Sequence, residues 1–200
     1  MYPMISDVLK PAVTRIISPV ARFLLRIGVT PNVVTACGAL FTVISAMLFF
    51  SRGSFFIGTI FITLFMLSDL FDGAMARLSS NGASRWGGFL DSTLDRISDS
   101  SIIFAIILFL IQNNDDLSII YVLALITGML IPYIRAKAES MSIECSGGIA
   151  ERTERAIVIL VGTGLHGLGV PYALAASAWL AAILGVITTV QRVAIVKRAN

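Results

Sequence analysis

The chain has 200 residues, 56% of them hydrophobic and only 14% charged, with a formal net charge of +3. A soluble domain carries about a quarter charged residues, whereas the mean hydropathy here is +0.89. These values exclude an ordinary soluble enzyme and predict an all-α integral membrane protein.

Residues 1–28 read as an N-terminal amphipathic helix lying in the membrane interface. Asp7, Lys10, Thr14, Arg15, Ser18, Arg22 and Arg26 fall on one side. Leu9, Val13, Ile16, Ile17, Val20, Phe23, Leu24 and Ile27 fall on the other. Pro11 and Pro19 predict a kink or two short pieces. Thr30 and Pro31 then serve as N-cap and first residue of the first span.

Six transmembrane helices are expected within residues 29–200. They lie near Asn32–Phe50, Ser54–Arg77, Trp86–Gln112, Leu117–Ala138, Ile149–Leu165 and Pro171–Val196. The connections are short, which predicts one helical bundle and a single domain over residues 1–200. Of 15 Lys and Arg, only Arg52 falls on the side holding the Ser51–Gly53 turn, the Asn113–Asp116 loop and the His166–Gly167 loop. The positive-inside rule then places both termini and the acidic motifs in the cytoplasm, in a multi-pass protein of the cell's inner (plasma) membrane. The N-terminus lacks a signal-peptide pattern. Cys37 falls in the first span and Cys145 in a cytoplasmic loop, so no disulfide is expected. His166 sits in a Gly-rich outward turn, where no catalytic role is expected.

The second span ends in "SDLFDGAMARLSS", Ser68 to Ser80, and the third opens with "GGFLDSTLDRISDS", Gly87 to Ser100. Ionisable groups in spans are costly and are functional candidates. Asp69 and Asp72 are i and i+3 on a helix, and Gly73 and Ala76 share their face with little bulk. Asp91 and Asp95 are i and i+4, with Asp99 further along and Gly87 one turn before. Carboxylates gathered without a counter-charge repel each other. A divalent cation removes that conflict, and oxygen-only ligands favour Mg²⁺, Mn²⁺ or Ca²⁺. Four carboxylates suffice for two ions, as in many phosphoryl-transfer sites. Arg77 offers a planar fork for phosphate. The competing reading, structural ion pairs with Arg77, Arg85 and Arg96, does not account for glycine and alanine on the same face. Spacing alone does not choose between Asp91 and Asp95 as a general base.

The pattern Asp69-x-x-Asp72-Gly73-x-x-Ala76-Arg77, followed by Gly87-x-x-x-Asp91-x-x-x-Asp95, resembles the signature of the CDP-alcohol phosphotransferase family. The resemblance extends over nearly the whole chain. It implies displacement of CMP from a CDP-linked lipid by an alcohol hydroxyl. It further implies that Asp69, Asp72 and Asp91 bind metal, Mg²⁺ with Mn²⁺ as the alternative and two ions in all. Asp95 would adjoin the ions and act as general base. Gly73, Ala76 and Arg77, with Asn32, would line the site of the CDP-lipid. The family is usually dimeric, which implies a homodimer, and small residues in several spans permit close helix contact. Asp99 lies outside the motif, with a supporting role and a plain pairing or capping role both open.

The acceptor is sought among the remaining cytoplasmic basic residues. "PYIRAKAES" ends the fourth span with Arg135 and Lys137. "GIAERTERAIVI" opens the fifth with Arg152 and Arg155, and Arg192 closes the sixth. Such a cluster suits a doubly charged phosphate, while Lys197 and Arg198 suit headgroup anchoring. The stretch Tyr133–Glu139, "GIAER", "TPN" and "SRWGGFLDSTLDR" resemble the actinobacterial phosphatidylinositol phosphate synthases. That resemblance implies CDP-diacylglycerol and inositol 1-phosphate as substrates, with Arg135, Arg152 or Arg155, and Arg192 on the acceptor phosphate. Pro132 stands where a small or hydroxyl residue is expected, and it predicts a bend in the fourth span.

Two other readings compete. A phosphatidylglycerophosphate synthase would use the same acidic motif with glycerol 3-phosphate as acceptor. A cation transporter would carry polar residues into the outer halves of several spans, and here the outer halves of the second and third are apolar. No nucleic-acid partner is expected, and the lipid bilayer is the surrounding medium.

Overall fold

The computed structural model describes residues 17–78 and 84–199. The described chain is helical: α1 over 17–26, α2 over Pro31–Phe49, a short 3₁₀ turn at Phe50–Arg52, α3 over Phe55–Met66 and α4 over Ser68–Leu78. Then follow α5 over Arg85–Gln112, α6 over Leu117–Ser140, α7 over Arg152–Gly167 and α8 over Ala173–Ala199. Backbone contacts divide the chain into two units. The first is Met1–Thr42 with Leu64–Ile97, and the second is Val43–Thr63 with Ser98–Asn200.

In the first unit, α1 lays Ile17 and Ala21 on Ala74 and Met75 of α4, with Leu24, Leu25, Val34 and Phe71 around them. Val20, Phe23 and Ile27 remain exposed, so only part of the apolar face expected for this helix is covered by protein. The expected polar and apolar residues before position 17 lie outside the described residues. α2 begins at Pro31, as its sequence predicts, with the Thr30 carbonyl accepting from the Val33 and Val34 amides.

In the second unit, small and hydroxyl residues let helices approach closely. Tyr121 of α6 bonds Ser177 Oγ at 2.8 Å and donates to the Leu174 carbonyl at 3.2 Å, both on α8. Gly185 of α8 faces Thr127, and Gly162 of α7 faces Ser177; a methyl at either glycine would collide. Thr59 and Thr163 join α3 to α7 at 3.1 Å. Phe55 packs edge-on against Phe109 and His166, so His166 is an aromatic packing partner. Large apolar side chains elsewhere point outward, Leu64 at 58% and Ile119 at 67% exposure, as befits helices whose solvent is lipid.

Among the described residues, four helical stretches are long and apolar enough to cross a membrane: Pro31–Arg52, Phe55–Leu78, Leu117–Ser140 and Ala173–Ala199. The six expected spans are therefore matched only in part on this measure. α5 has the length, but Asp91, Asp95, Arg96 and Asp99 crowd its N-terminal part. α7 has 16 residues, about 24 Å at helical rise, short of a ~30 Å hydrocarbon core.

Two expected boundaries differ. The second expected span is two helices broken at Leu67. The fifth starts at Arg152, not Ile149, because Gly147 and Gly148 take φ of 103° and 132°. The amides of Ile149 and Ala150 then bond side chains of α8 instead of opening a helix. α6 continues through Pro132 without interruption. Cys37 and Cys145 are both free thiols.

Candidate active site

The acidic motifs fall in the first unit. The break at Leu67 starts α4 afresh at Ser68, one residue before Asp69. Gly38 of α2 makes room for that start: a methyl there would land on Ser68 Oγ. Ser68 Oγ is buried and has no hydrogen-bond partner. Asp69 and Asp72 stand one turn apart on α4, the first half-buried and the second only 9% exposed. Thr35 of α2 donates its hydroxyl hydrogen to Asp72 Oδ2 at 2.6 Å.

Asp91 and Asp95 occupy successive turns of α5, both half-buried. The carboxylates of Asp69 and Asp91 are near enough to Asp72 to act on it electrostatically. Three acidic groups from two helices thus share one field, an oxygen-only donor set suited to a hard divalent cation. Among the described residues, no three acidic, His or Cys side chains close on a single point as a finished metal cage. Asp95 has the Arg96 guanidinium at 3.6 Å.

The small residues beside the acids have identifiable work. The Arg77 guanidinium folds back over Gly73, 3.6 Å from where a Cβ would sit. Ala76 is half-buried and Arg77 exposed, so a cation stands at the exposed edge of α4 beside the acids. The α5 start is capped by Ser84 Oγ, which accepts the Gly87 amide at 2.9 Å. Asn32 Oδ1 lies 3.0 Å from the position a Cβ would take on Gly87. Asn32 thus stands close to the first turn of α5.

The basic residues expected to hold an acceptor fall in the second unit. Arg135 is exposed and bonds Glu139 one turn on, Nε to Oε1 at 2.8 Å. Arg152 spans both oxygens of Asp99 with its Nε, at 3.1 and 3.3 Å. Asp99 is thus an ion-pair partner of Arg152. Arg155 bonds the Glu151 carbonyl at 3.3 Å and brings its Nη1 beside Gly128 of α6. Arg192 is 3% exposed and donates to the carbonyls of Gly147 and Ile131, at 3.1 and 2.9 Å. Gly128, Ile131 and Arg135 form one stripe of α6. Arg155 and Arg192 therefore approach α6 at Gly128 and Ile131, two turns and one turn before Arg135 respectively.

A family model for CDP-alcohol phosphatidyltransferase matches residues 28–193. The chain belongs to the CDP-alcohol phosphatidyltransferase family. It is 40% identical over 196 residues to the phosphatidylinositol phosphate synthase of Streptomyces avermitilis, covering 94% of this chain and 80% of that protein. The crystal structure of the Mycobacterium tuberculosis phosphatidylinositol phosphate synthase with CDP-DAG bound superposes with a TM-score of 0.87. It is 40% identical, with 91% of this chain and 94% of that one covered. The same enzyme in complex with manganese and citrate gives a TM-score of 0.86 at 39% identity, covering 90% and 88%.

Within this phosphatidyltransferase, sequence reasoning missed Thr35, Ser84 and the Gly38–Ser68 contact. Thr35 is 37 positions from Asp72 in the chain, and no local spacing joins them. A signal did exist for Ser84: a hydroxyl residue three positions before Gly87, at a helix start.

Proposed function

We propose that this phosphatidyltransferase is a phosphatidylinositol phosphate synthase, a membrane enzyme of phospholipid biosynthesis. It transfers the phosphatidyl group of CDP-diacylglycerol to inositol 1-phosphate and releases CMP. The observation that carries this reading is the combination of the α4–α5 acidic set with about 40% identity to synthases of that specificity over nine-tenths of the chain.

In this reading Asp69, Asp72 and Asp91 hold divalent cations, with Asp95 adjoining them. Mg²⁺ is the favoured ion and Mn²⁺ the alternative; the four carboxylates are enough for two. The relative solved with manganese supports a divalent cation here. When bound, such ions offset the charge of the diphosphate and polarise its phosphoryl oxygens. Arg77 meets the diphosphate with its fork, and Gly73 and Ala76 leave the helix surface open to the cytidine moiety. Asn32 contacts the CDP-lipid from the start of α2.

The acceptor hydroxyl oxygen attacks the phosphorus that bears diacylglycerol. Its bond to the oxygen bridging to CMP breaks in line, and CMP departs with that oxygen. Asp95 takes the hydroxyl proton as general base. No covalent enzyme intermediate forms. Arg135, Arg152, Arg155 and Arg192 serve the acceptor phosphate. Arg192 does so with a guanidinium already bonded to two backbone carbonyls.

The placement in the membrane follows from charge. α5 and α7 join the four clearly apolar stretches to make six spans, with α1 in the interface. The distribution of Lys and Arg puts both termini and the acidic set on the cytoplasmic side of the inner membrane. The enzyme works as a homodimer.

Mass analysis of the lipid formed from CDP-diacylglycerol and inositol 1-phosphate tests the assignment. Phosphatidylinositol phosphate is the expected product. Its absence, with a glycerophosphate lipid formed from glycerol 3-phosphate instead, would overturn the acceptor.

A further inference from the structure

The loop joining α6 to α7 is bonded along one face of α8. Thr188, Gln191 and Arg192 stand at i, i+3 and i+4 and so share that face. The Ala150 amide donates to Thr188 Oγ1 at 3.2 Å, and the Ile149 amide donates to Gln191 Oε1 at 3.0 Å. Arg192 Nε donates to the Gly147 carbonyl at 3.1 Å. The Cys145 thiol lies 3.9 Å from the Arg192 carbonyl oxygen, which it meets as a weak donor. Thr188 is fully buried. Gly148 fits only as glycine: its φ is +132°, and a Cβ would stand 2.6 Å from Thr188 Cγ2.

This fastening ends at Ala150, two residues before Arg152. Glu151 follows in extended conformation as the N-cap of α7, and the helix carrying Arg152 and Arg155 starts at once. The backbone that sets where α7 begins is therefore fixed by α8 side chains. Two amides that precede a helix would otherwise bond water, and the loop would be free to slide or to wind into α7. Side chains at the start of a helix move with its register.

We propose that Thr188 and Gln191 are positioning residues for the acceptor phosphate. They hold the α6–α7 loop so that Arg152 and Arg155 are presented in one fixed register, and they touch no substrate themselves. The ligand class served is a sugar-alcohol phosphate dianion, and the proposal rests on the acceptor reading above. A preorganised loop spares the ligand the cost of ordering it, so its loss appears in acceptor affinity rather than in the chemical step.

The test is steady-state kinetics of the full-length enzyme, with inositol 1-phosphate and CDP-diacylglycerol varied separately. Thr188→Val keeps the side-chain shape and removes the acceptor oxygen; Thr188→Ser keeps the oxygen. The proposal expects Thr188→Val to raise KM for inositol 1-phosphate roughly 10-fold, as expected for one lost buried hydrogen bond. It expects kcat and KM for CDP-diacylglycerol to stay within about 2-fold, and Thr188→Ser to restore the acceptor KM. Gln191→Leu, at the more open contact, is expected to act in the same direction and carries the test if Thr188→Val does not fold. Arg155→Ala separates the two layers of the argument. If it raises the acceptor KM while Thr188→Val and Gln191→Leu do not, the positioning role is wrong and the acceptor reading stands. If none of the three affects the acceptor KM, the acceptor reading itself fails and takes the proposal with it. An equal loss in all constants, with a lowered Tm, would mean a purely structural role and would also overturn it.

Discussion

Thr35 and Asp72 are joined by a 2.6 Å hydrogen bond between α2 and α4, with the carboxylate 9% exposed. The hydroxyl fixes one oxygen of the acid and so sets where the other points. A hydrogen bond to a charged group contributes ~1.5–3 kcal/mol. Thr35→Val is therefore expected to lower kcat/KM by roughly 10- to 100-fold. Thr35→Ser should keep most of the activity. Initial rates of CMP release for the two variants check this, and equal rates would show that Asp72 needs no such orientation.

Asp91 shares the field of Asp72 with Asp69. Replacing it by Asn removes a charge and an anionic ligand while keeping the shape. Turnover is expected to fall at least ~100-fold, since the set can no longer offset a divalent cation. The protein should remain folded, as read by its melting curve in detergent. Retained activity in Asp91→Asn would remove this residue from the metal set. Chelation by EDTA should stop the wild-type reaction, and Mg²⁺ or Mn²⁺ should restore it.

The Asp99–Arg152 pair has both side chains about one quarter exposed, 24% and 26%. Screening by water limits such a pair to ~1 kcal/mol. Asp99→Asn is expected to raise the acceptor KM by roughly 3- to 10-fold and leave the KM for CDP-diacylglycerol alone. A double-mutant cycle with Arg152→Ala measures the coupling. Additive losses would mean that Asp99 acts on something other than Arg152.

Gly38 and Ser68 test the local packing that starts α4. A methyl at Gly38 meets the Ser68 side chain, and overpacking of this kind costs ~1–3 kcal/mol. Gly38→Ala should lower Tm by several degrees and reduce activity, because α4 carries Asp69 and Asp72. Ser68→Ala should be neutral or stabilising, since it deletes a buried hydroxyl that has no partner. Thermal melts of the two single variants decide the point.

Much of this is legible in the amino-acid sequence. Continuous apolar runs marked helices whose ends the structure moves by only a few residues, because helix period and hydropathy are local properties. The acidic motifs were legible because Asp69, Asp72, Asp91 and Asp95 are costly in lipid and sit at helical spacings. The break at Leu67 was not, since no proline or glycine marks it. Nor were the roles of Thr35 and Thr188, which are made by contacts 37 and 38 residues away along the chain. Arg192 reads as one of a cluster of cytoplasmic basic residues suited to phosphate. The structure places its guanidinium on the carbonyls of Ile131 and Gly147, a pairing that only the packing of α6, α8 and their loop determines.

The most direct test of the central claim is the rate of CMP release by the purified enzyme with CDP-diacylglycerol and Mg²⁺. Inositol 1-phosphate, free inositol and glycerol 3-phosphate are compared as acceptors. Release with inositol 1-phosphate, and not with the other two, is the predicted result. Release driven by glycerol 3-phosphate alone would contradict the synthase assignment while leaving the family chemistry of Asp69, Asp72, Asp91 and Asp95 in place.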